Sequence, residues 1–303
     1  MTDAGSCKIS IDPESGSKDE MQKDEPKQEK TEEKDEEARN PEYPEHIRSI
    51  TKHADGSYTI KYRDRSVYKG EVSVPAWDKE GKGRLDCPDG SWYVGDWKHD
   101  EKDGVGEWHT KFDEVYVGQW KDGMAHGSGR FDYGQGTYYE GAWSKDEHHG
   151  LGTMVYPDGS KYVGLWAEGK WDGLGYLVRP DRSTHEGMFS QGHINGRGKS
   201  LWSDGTQYDG EWKDDMKHGK GKLQKADGGV YEGEFKFDER DGHGRFMSSD
   251  GKRYEGGWKA GKQHGQGLFY PAGYNIGRRG EWKAGEIVRW IDNPLSDDEK
   301  SDD

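Results

Sequence analysis

The sequence predicts an all-β protein: an elongated, curved, single-layer antiparallel meander of about ten 23-residue hairpin repeats, with disordered acidic termini. Three observations carry that expectation. Glycine pairs recur at a fixed period, aromatic residues keep a constant register with them, and Asp-Gly dipeptides separate the candidate strands.

The pair Gly-x-Gly begins at Gly81, Gly104, Gly127, Gly150, Gly173, Gly196, Gly219, Gly242 and Gly265, each step being 23 residues. A fixed period of this length signals a repeat architecture. A second series, Gly70, Gly95, Gly118, Gly141, Gly164, Gly187, Gly210, Gly233, Gly256 and Gly280, keeps the same period apart from its first and last steps. Tyr stands two residues before eight of these ten glycines, His185 and Arg278 being the exceptions. Trp or Phe stands two residues after nine of them, with Val72 the exception.

In chain order, residues 1–44 read as a disordered acidic arm and 45–67 as a capping hairpin around "SYTIKY". The array fills 68–285, a closing strand 286–292 and an acidic tail 293–303. Each repeat reads as two strands, illustrated by Gly150 to Tyr156 and Lys161 to Trp166. Between them lies Asp158-Gly159, a dipeptide that supplies positive φ for a tight hairpin. Asp89-Gly90, Asp204-Gly205, Asp227-Gly228 and Asp250-Gly251 fill the same slot.

Side chains alternate faces along a strand. Tyr162, Gly164 and Trp166 therefore share one face, as do Gly150, Gly152 and Met154. The Met154 slot is apolar in eight of nine repeats, Ser200 breaking the series. The economical arrangement puts all of these on one side, with the rings flat over bare glycine backbone where a Cβ would lift them away. The other face carries Val94, Val117 and Val163 early and Asp209, Glu232 and Glu255 later, and is expected to face solvent in the C-terminal half. A lone hairpin buries too little to stand, so stability must come from neighbours. About twenty strands at roughly 4.8 Å spacing give a ribbon about 90–100 Å long.

Composition resolves into segments. The chain is 35% charged and 29% hydrophobic with net charge −15, which alone suggests disorder, yet 12% is aromatic. Met1 to Pro44 carries 14 acids and 7 bases, and Ile291 to Asp303 carries 6 acids and 1 base. The remainder is nearly neutral and has no basic footprint for nucleic acid or anionic lipid. The segment "SKDEMQKDEPKQEKTEEKDEEARNPEYPE" reads as solvated arm. No apolar run approaches a membrane span and no signal-peptide pattern opens the chain. With two cysteines, Cys7 and Cys87, a disulfide framework is not expected and a reducing cytosolic compartment is the simplest setting.

The pattern Tyr-x-Gly-x-Trp, a polar loop, His/Asp-Gly-x-Gly, an apolar residue and an Asp-Gly turn resembles the MORN repeat. "YVGQWKDGMAHGSGRF" and "YDGEWKDDMKHGKGKL" are representative copies, and the resemblance covers Tyr68 to Trp282. It implies a curved single-layer sheet with an aromatic-lined groove and a scaffold role in the cytoskeleton. A near-pure array with charged tails is most similar to radial spoke head and other axonemal scaffold proteins. The alternative is a linker at a membrane–cytoskeleton junction with weak phospholipid binding. The expected location is cytoplasm and cytoskeleton, in the cilium or flagellum axoneme.

Enzyme chemistry is not expected, because carboxylates sit in turns along a ribbon instead of converging on a pocket, and no phosphate loop or cofactor motif is present. His126, His149, His218 and His264 are expected to be loop residues, with adjacent copies near 10 Å apart by strand spacing, so no metal site is foreseen. Protein partners remain, as a peptide or helix in an aromatic groove or as a second copy in a homodimer, with no nucleic acid. The groove residues are Tyr93, Trp97, Tyr116, Trp120, Tyr139, Trp143, Tyr162, Trp166, Tyr208, Trp212, Tyr231, Tyr254 and Trp258, which are also expected to hold the sheet together. "SDDE" makes Ser296 an acid-directed phosphorylation candidate. The divergent repeat around His185, with Arg182, Phe189 and Ser200, is expected to be drift, a kink or a contact point.

Overall fold

The computed structural model describes residues 43–291, so the acidic arm before Tyr43, the tail after Ile291 and Ser296 lie outside the described residues. No helix occurs among them. Two units are distinguished by their internal contacts. The first comprises the described residues up to Gly134 with Glu140–Glu147, and the second Gln135–Tyr139 with everything from His148.

The first unit contains β1 (Ile47–Lys52), β2 (Tyr58–Tyr62), β3 (Val67–Ser73) and β4 (Asp78–Asp86). It continues through β5 (Trp92–Lys98), β6 (Glu101–His109), β7 (Val115–Lys121) and β8 (Met124–Gly134). Strand β9 (Thr137–Ser144) is divided between the units. The second unit runs through β10 (Glu147–Val155), β11 (Lys161–Ala167), β12 (Lys170–Val178), β13 (Thr184–Ser190), β14 (His193–Leu201) and β15 (Gln207–Lys213). It ends with β16 (Met216–Gln224), β17 (Val230–Lys236), β18 (Glu239–Met247), β19 (Arg253–Lys259), β20 (Lys262–Tyr270), β21 (Arg278–Lys283) and β22 (Glu286–Trp290). Within each unit every strand pairs antiparallel with its neighbour in sequence.

Two kinds of turn join them. The Asp-Gly slot is a three-residue loop, not the tightest hairpin that its sequence suggests. Gly90 donates to the Cys87 carbonyl at 3.1 Å, Cys87 donates to the Ser91 carbonyl at 2.8 Å, and Gly90 has φ +92°. The Asp89 carboxylate accepts from the Ser91 amide at 3.0 Å and from its hydroxyl at 2.6 Å, which closes the loop. The two-residue turns lie on the other side, at His99-Asp100, Asp122-Gly123, Lys145-Asp146, Glu168-Gly169, Gln191-Gly192, Asp214-Asp215, Phe237-Asp238, Ala260-Gly261 and Ala284-Gly285, where both residues have positive φ. That is the type I′ geometry matched to strand twist. Asp tolerates it, and a side-chain bond repays it, as where Asp146 accepts the Ala125 amide at 2.7 Å.

The cysteine expectation changes. Cys87 is buried at the start of its loop and is disulfide-bonded, where no disulfide framework was expected.

Candidate functional site: the aromatic face

Register settles which side chains meet. Gly150 pairs with Trp166, Gly152 with Gly164 and Met154 with Tyr162, so the rings and the apolar slot share a face, here called the front. Each front ring is fixed by two backbone contacts. The tyrosine lies over the glycine two residues on and over the second glycine of the next Gly-x-Gly, so a Cβ on Gly175 would meet Tyr162 Cε2 and Cζ at 2.6 Å. Its hydroxyl donates to the carbonyl three residues ahead, at 3.0 Å from Tyr162 to Leu165 and 2.9 Å from Tyr93 to Asp96. That carbonyl is available because the ladder slips between the glycine and the tryptophan, for example between Gly164 and Trp166. The tryptophan reaches the other way. Trp97 Nε1 donates to Gly83 O at 3.1 Å, Trp120 to Gly106 at 3.2 Å and Trp258 to Gly244 at 3.0 Å.

The rings interlock edge to face. In the first unit Tyr93 meets Trp97 at 5.0 Å and Trp120 at 5.3 Å, and Tyr116 meets Trp143 at 5.3 Å. In the second unit Tyr162 meets Trp166 and Phe189, Tyr208 meets Trp212 and Phe235, and Tyr254 meets Trp258 and Trp282. Such pairs add to area burial. All thirteen residues singled out from the sequence are buried: the tyrosines at 0–1% exposure and the tryptophans at 2–6%. They form the core of each unit, and a partner could touch only their edges. Burial raises the pKa of the Tyr156 and Tyr254 phenols to about 12 and pushes those of Tyr93, Tyr162, Tyr208 and Tyr231 higher still.

The first glycine of each Gly-x-Gly does different work. Gly81, Gly104, Gly173, Gly196, Gly242 and Gly265 all have positive φ, with no ring above them. They turn the chain through the bulge. The residue between Gly and Trp then caps the amide this frees: the Asp96 carboxylate accepts Val105 N at 2.9 Å and Gln119 Oε1 accepts Ser128 N at 2.8 Å. At Leu165 and Met188 this cap is replaced by an apolar side chain.

The divergent repeat keeps the pattern. Strands β13 and β14 have the same pairing and the same slip as their neighbours. His185 takes the tyrosine place at 0% exposure, edge to face with Phe189 at 5.3 Å and Trp212 at 5.2 Å. Ser200, polar in an apolar slot, lies 2.9 Å from His185 Nδ1, so the two departures compensate. Nε2, standing where a phenol would bond, has no partner. Burial lowers the His185 pKa to about 4. An unfolded histidine takes a proton near pH 6.5, so stability should fall as pH drops from about 6.5 to about 4. The double variant His185→Tyr/Ser200→Leu is expected to remove about 1–3 kcal/mol of that acid sensitivity in urea titrations at pH 7 and pH 4.5. An unchanged pH profile would count against this reading.

His126, His149, His218 and His264 lie within β8, β10, β16 and β20, a correction to the loop positions expected. The bulge lengthens the strand past each Gly-x-Gly to reach the two-residue turn. Among the described residues no group of three or more His, Cys, Asp or Glu is arranged to hold a metal ion.

Sequence reading missed the residue two before each Gly-x-Gly, which pairs with the tryptophan, as Lys102 does with Trp97, Trp171 with Trp166 and Arg240 with Phe235. Its type varies among Lys, Ala, His, Trp, Ile, Arg and Gln, so no periodic signal marks it. Where it is charged it points over rings: Arg240 Cζ stands 4.2 Å from the Trp258 centroid, and Lys217 Nζ 5.5 Å from Trp202 while bridging Asp238 at 2.7 Å. In β14–β20 this position, the apolar slot and the loops open three depressions. The first, about 720 Å³, is lined by Trp202, Lys217 and Leu223. The second, about 190 Å³, lies between Leu223 and Phe246, and the third, about 350 Å³, between Phe246 and Phe269.

The opposite face differs along the second unit. Leu151, Leu165, Leu174, Tyr176 and Met188 are exposed on β10–β13. From β14 onward this face is a trough of about 590 Å³ lined by Arg197, Asp209, Lys220, Lys222, Glu232, Glu234, His243, Arg245 and Glu255. Acids on one strand oppose bases on the next, with Arg245 meeting Glu255 at 3.1 Å.

The MORN repeat model matches residues 77–92, 93–109, 116–138, 139–161, 162–184, 185–207, 208–230, 231–253 and 254–273, more than half of the chain. The chain belongs to the MORN-repeat family. No curated protein matches it. Among solved structures it is similar to the TCP10 domain of Danio rerio CPAP in complex with a peptide of Danio rerio STIL, at 11% identity and TM-score 0.35, covering 81% of this chain and 99% of that one. It is also similar to the SAS-4 (dCPAP) TCP domain of Drosophila melanogaster in complex with a proline-rich motif of Ana2, at 13% identity and TM-score 0.28, covering 65% and 96%.

Proposed function

We propose that this chain is a non-enzymatic scaffold that holds partner proteins on its front face within the cytoskeleton, as a component of a ciliary or flagellar axoneme similar to a radial spoke head protein. The observation that carries the scaffold reading is how the polar chemistry is spent. At the thirteen ring positions every phenol and indole donates to a backbone carbonyl, and the bulge-capping carboxylates accept backbone amides, which leaves shape and apolar surface, repeated along the array, as what the face presents. Such surfaces suit extended protein partners. The axonemal place rests on the near-pure array with its acidic ends. It is tested by fractionation: after detergent extraction of ciliated cells the tagged chain should stay with the axonemes. Release with the detergent, together with salt-sensitive binding to phosphatidylserine vesicles, would favour a membrane–cytoskeleton linker instead. A homodimer belongs to the same proposal and is read by light scattering of the full chain.

A further inference from the structure

We infer that the three front-face depressions of β14–β20 take an uncharged, proline-rich segment of a partner in polyproline II conformation, with an apolar side chain at every third residue. This deepens the scaffold reading and rests on it. The argument is one of period and charge. Leu223 is the wall shared by the first and second depressions, and Phe246 the wall shared by the second and third. Neighbouring depressions are one repeat apart, which is two strand spacings, or about 9.4–9.8 Å. An occupant crossing the strands must present a side chain to the same side at that interval. A polyproline II helix does so every third residue, about 9.3 Å. An extended strand repeats a face every second residue, about 6.7 Å, and falls out of step at once. An α-helix returns to a face after seven residues, about 10.5 Å, and drifts by about 1.5–2 Å over the two steps.

Charge points the same way. Lys217 is bridged by Asp238 and Lys252 by Asp250, each at 2.7 Å, and Arg240 donates to the Gly261 carbonyl at 2.6 Å while lying over rings. Across the lining the acids Asp204, Asp227, Asp238, Glu239 and Asp250 balance the bases Lys217, Lys225, Arg240, Lys252 and Arg253, so the row offers no net field for a charged segment, and the acidic ends of this chain gain nothing there. Aromatic walls such as Trp202 and Phe246 suit a ligand whose backbone is already ordered and loses little entropy on binding.

The test uses the full chain and three fluorescein-labelled synthetic peptides read by anisotropy. They are (Pro-Pro-Leu)4, (Pro-Leu)6, and a helix-forming Ala/Gln peptide with Leu at every seventh position. The first should bind at least tenfold tighter than the other two. Trp202→Ser, at the rim of the first depression, should weaken it at least tenfold, and Leu223→Asp should do the same with circular dichroism unchanged. Equal or tighter binding of the helical peptide, lost on Trp202→Ser, would overturn the polyproline inference while leaving the front face as a protein-binding surface. Failure of all three peptides would overturn the inference, and the scaffold reading would then be judged by its own fractionation result.

Discussion

Gly175→Ala should destabilise the second unit by about 2–6 kcal/mol, more than an alanine at an exposed turn glycine. A Cβ there would stand 2.6 Å from two ring carbons of Tyr162. The ring cannot retreat: it is fully buried, stacks on Trp171 at 4.6 Å, and is boxed by Trp166 at 5.3 Å and Phe189 at 5.2 Å. Overpacking of this kind costs about 1–3 kcal/mol. Lifting the ring also breaks the hydroxyl bond to Leu165 O, leaving a bulge carbonyl unpaired for a further 1–3 kcal/mol or so. Gly159→Ala is the control. Its φ is +84° and nothing lies within 4 Å of an added Cβ, so only the backbone penalty of about 1–2 kcal/mol applies. Urea unfolding followed by tryptophan fluorescence separates the two. Equal losses at the two sites would show that rings do not depend on bare backbone beneath them.

That comparison also marks what the sequence discloses. Period, face and hairpin order are legible because they need only residue identity at fixed spacing: Tyr162, Trp166 and Met154 meet as alternation requires. The three glycines of a repeat look alike in sequence, yet they serve different ends. Gly164 and Gly175 yield to a ring, whereas Gly173 turns a bulge, and a residue name does not distinguish steric room from positive φ. The tight turns were hidden for a related reason. Asp-Gly is the stronger hairpin signal, but Phe237-Asp238 and Lys145-Asp146 adopt the tighter turn because the pairing on both sides leaves two residues to close it. The thirteen aromatic residues are legible as a periodic set, whereas their degree of burial is not, since exposure depends on what covers an open face. Here the neighbouring repeats cover it, through Trp rings reaching back and Tyr rings reaching forward. The depressions of β14–β20 arise where the apolar slot is half-buried at Leu223, Phe246 and Phe269, in contrast to Leu85, Trp108 and Phe131, which are buried.

Lys102→Met should stabilise the first unit by about 2–4 kcal/mol near pH 6, with the gain shrinking as pH rises from about 7 towards 10. Lys102 is 5% exposed, its amine 3.8 Å from the Trp108 centroid, 4.7 Å from Trp120 and 5.2 Å from Tyr93. In the preceding repeat the equivalent Lys79 meets Asp100 at 2.8 Å, whereas 23 residues after Asp100 the chain has Gly123, which brings no carboxylate. Burial therefore lowers the Lys102 pKa to about 7, against a smaller opposing pull from Asp146, whose own carboxyl burial raises. In the unfolded chain the amine keeps its proton up to about pH 10.4, so the unfolded state binds the extra proton between those values. Lys102 therefore adds stability to the wild type as pH rises across that window, while phenols kept protonated by burial subtract from both chains near pH 10, so the lysine is read from the difference between wild type and the methionine variant, which has no proton to lose there. Two terms compete in sign. The ring faces attract the ammonium by about 2 kcal/mol when desolvated, while taking it from water costs more. Urea titrations of both chains at pH 6, 8 and 10 decide the balance: a methionine variant less stable at every pH would mean that the three rings hold the cation more strongly than water does.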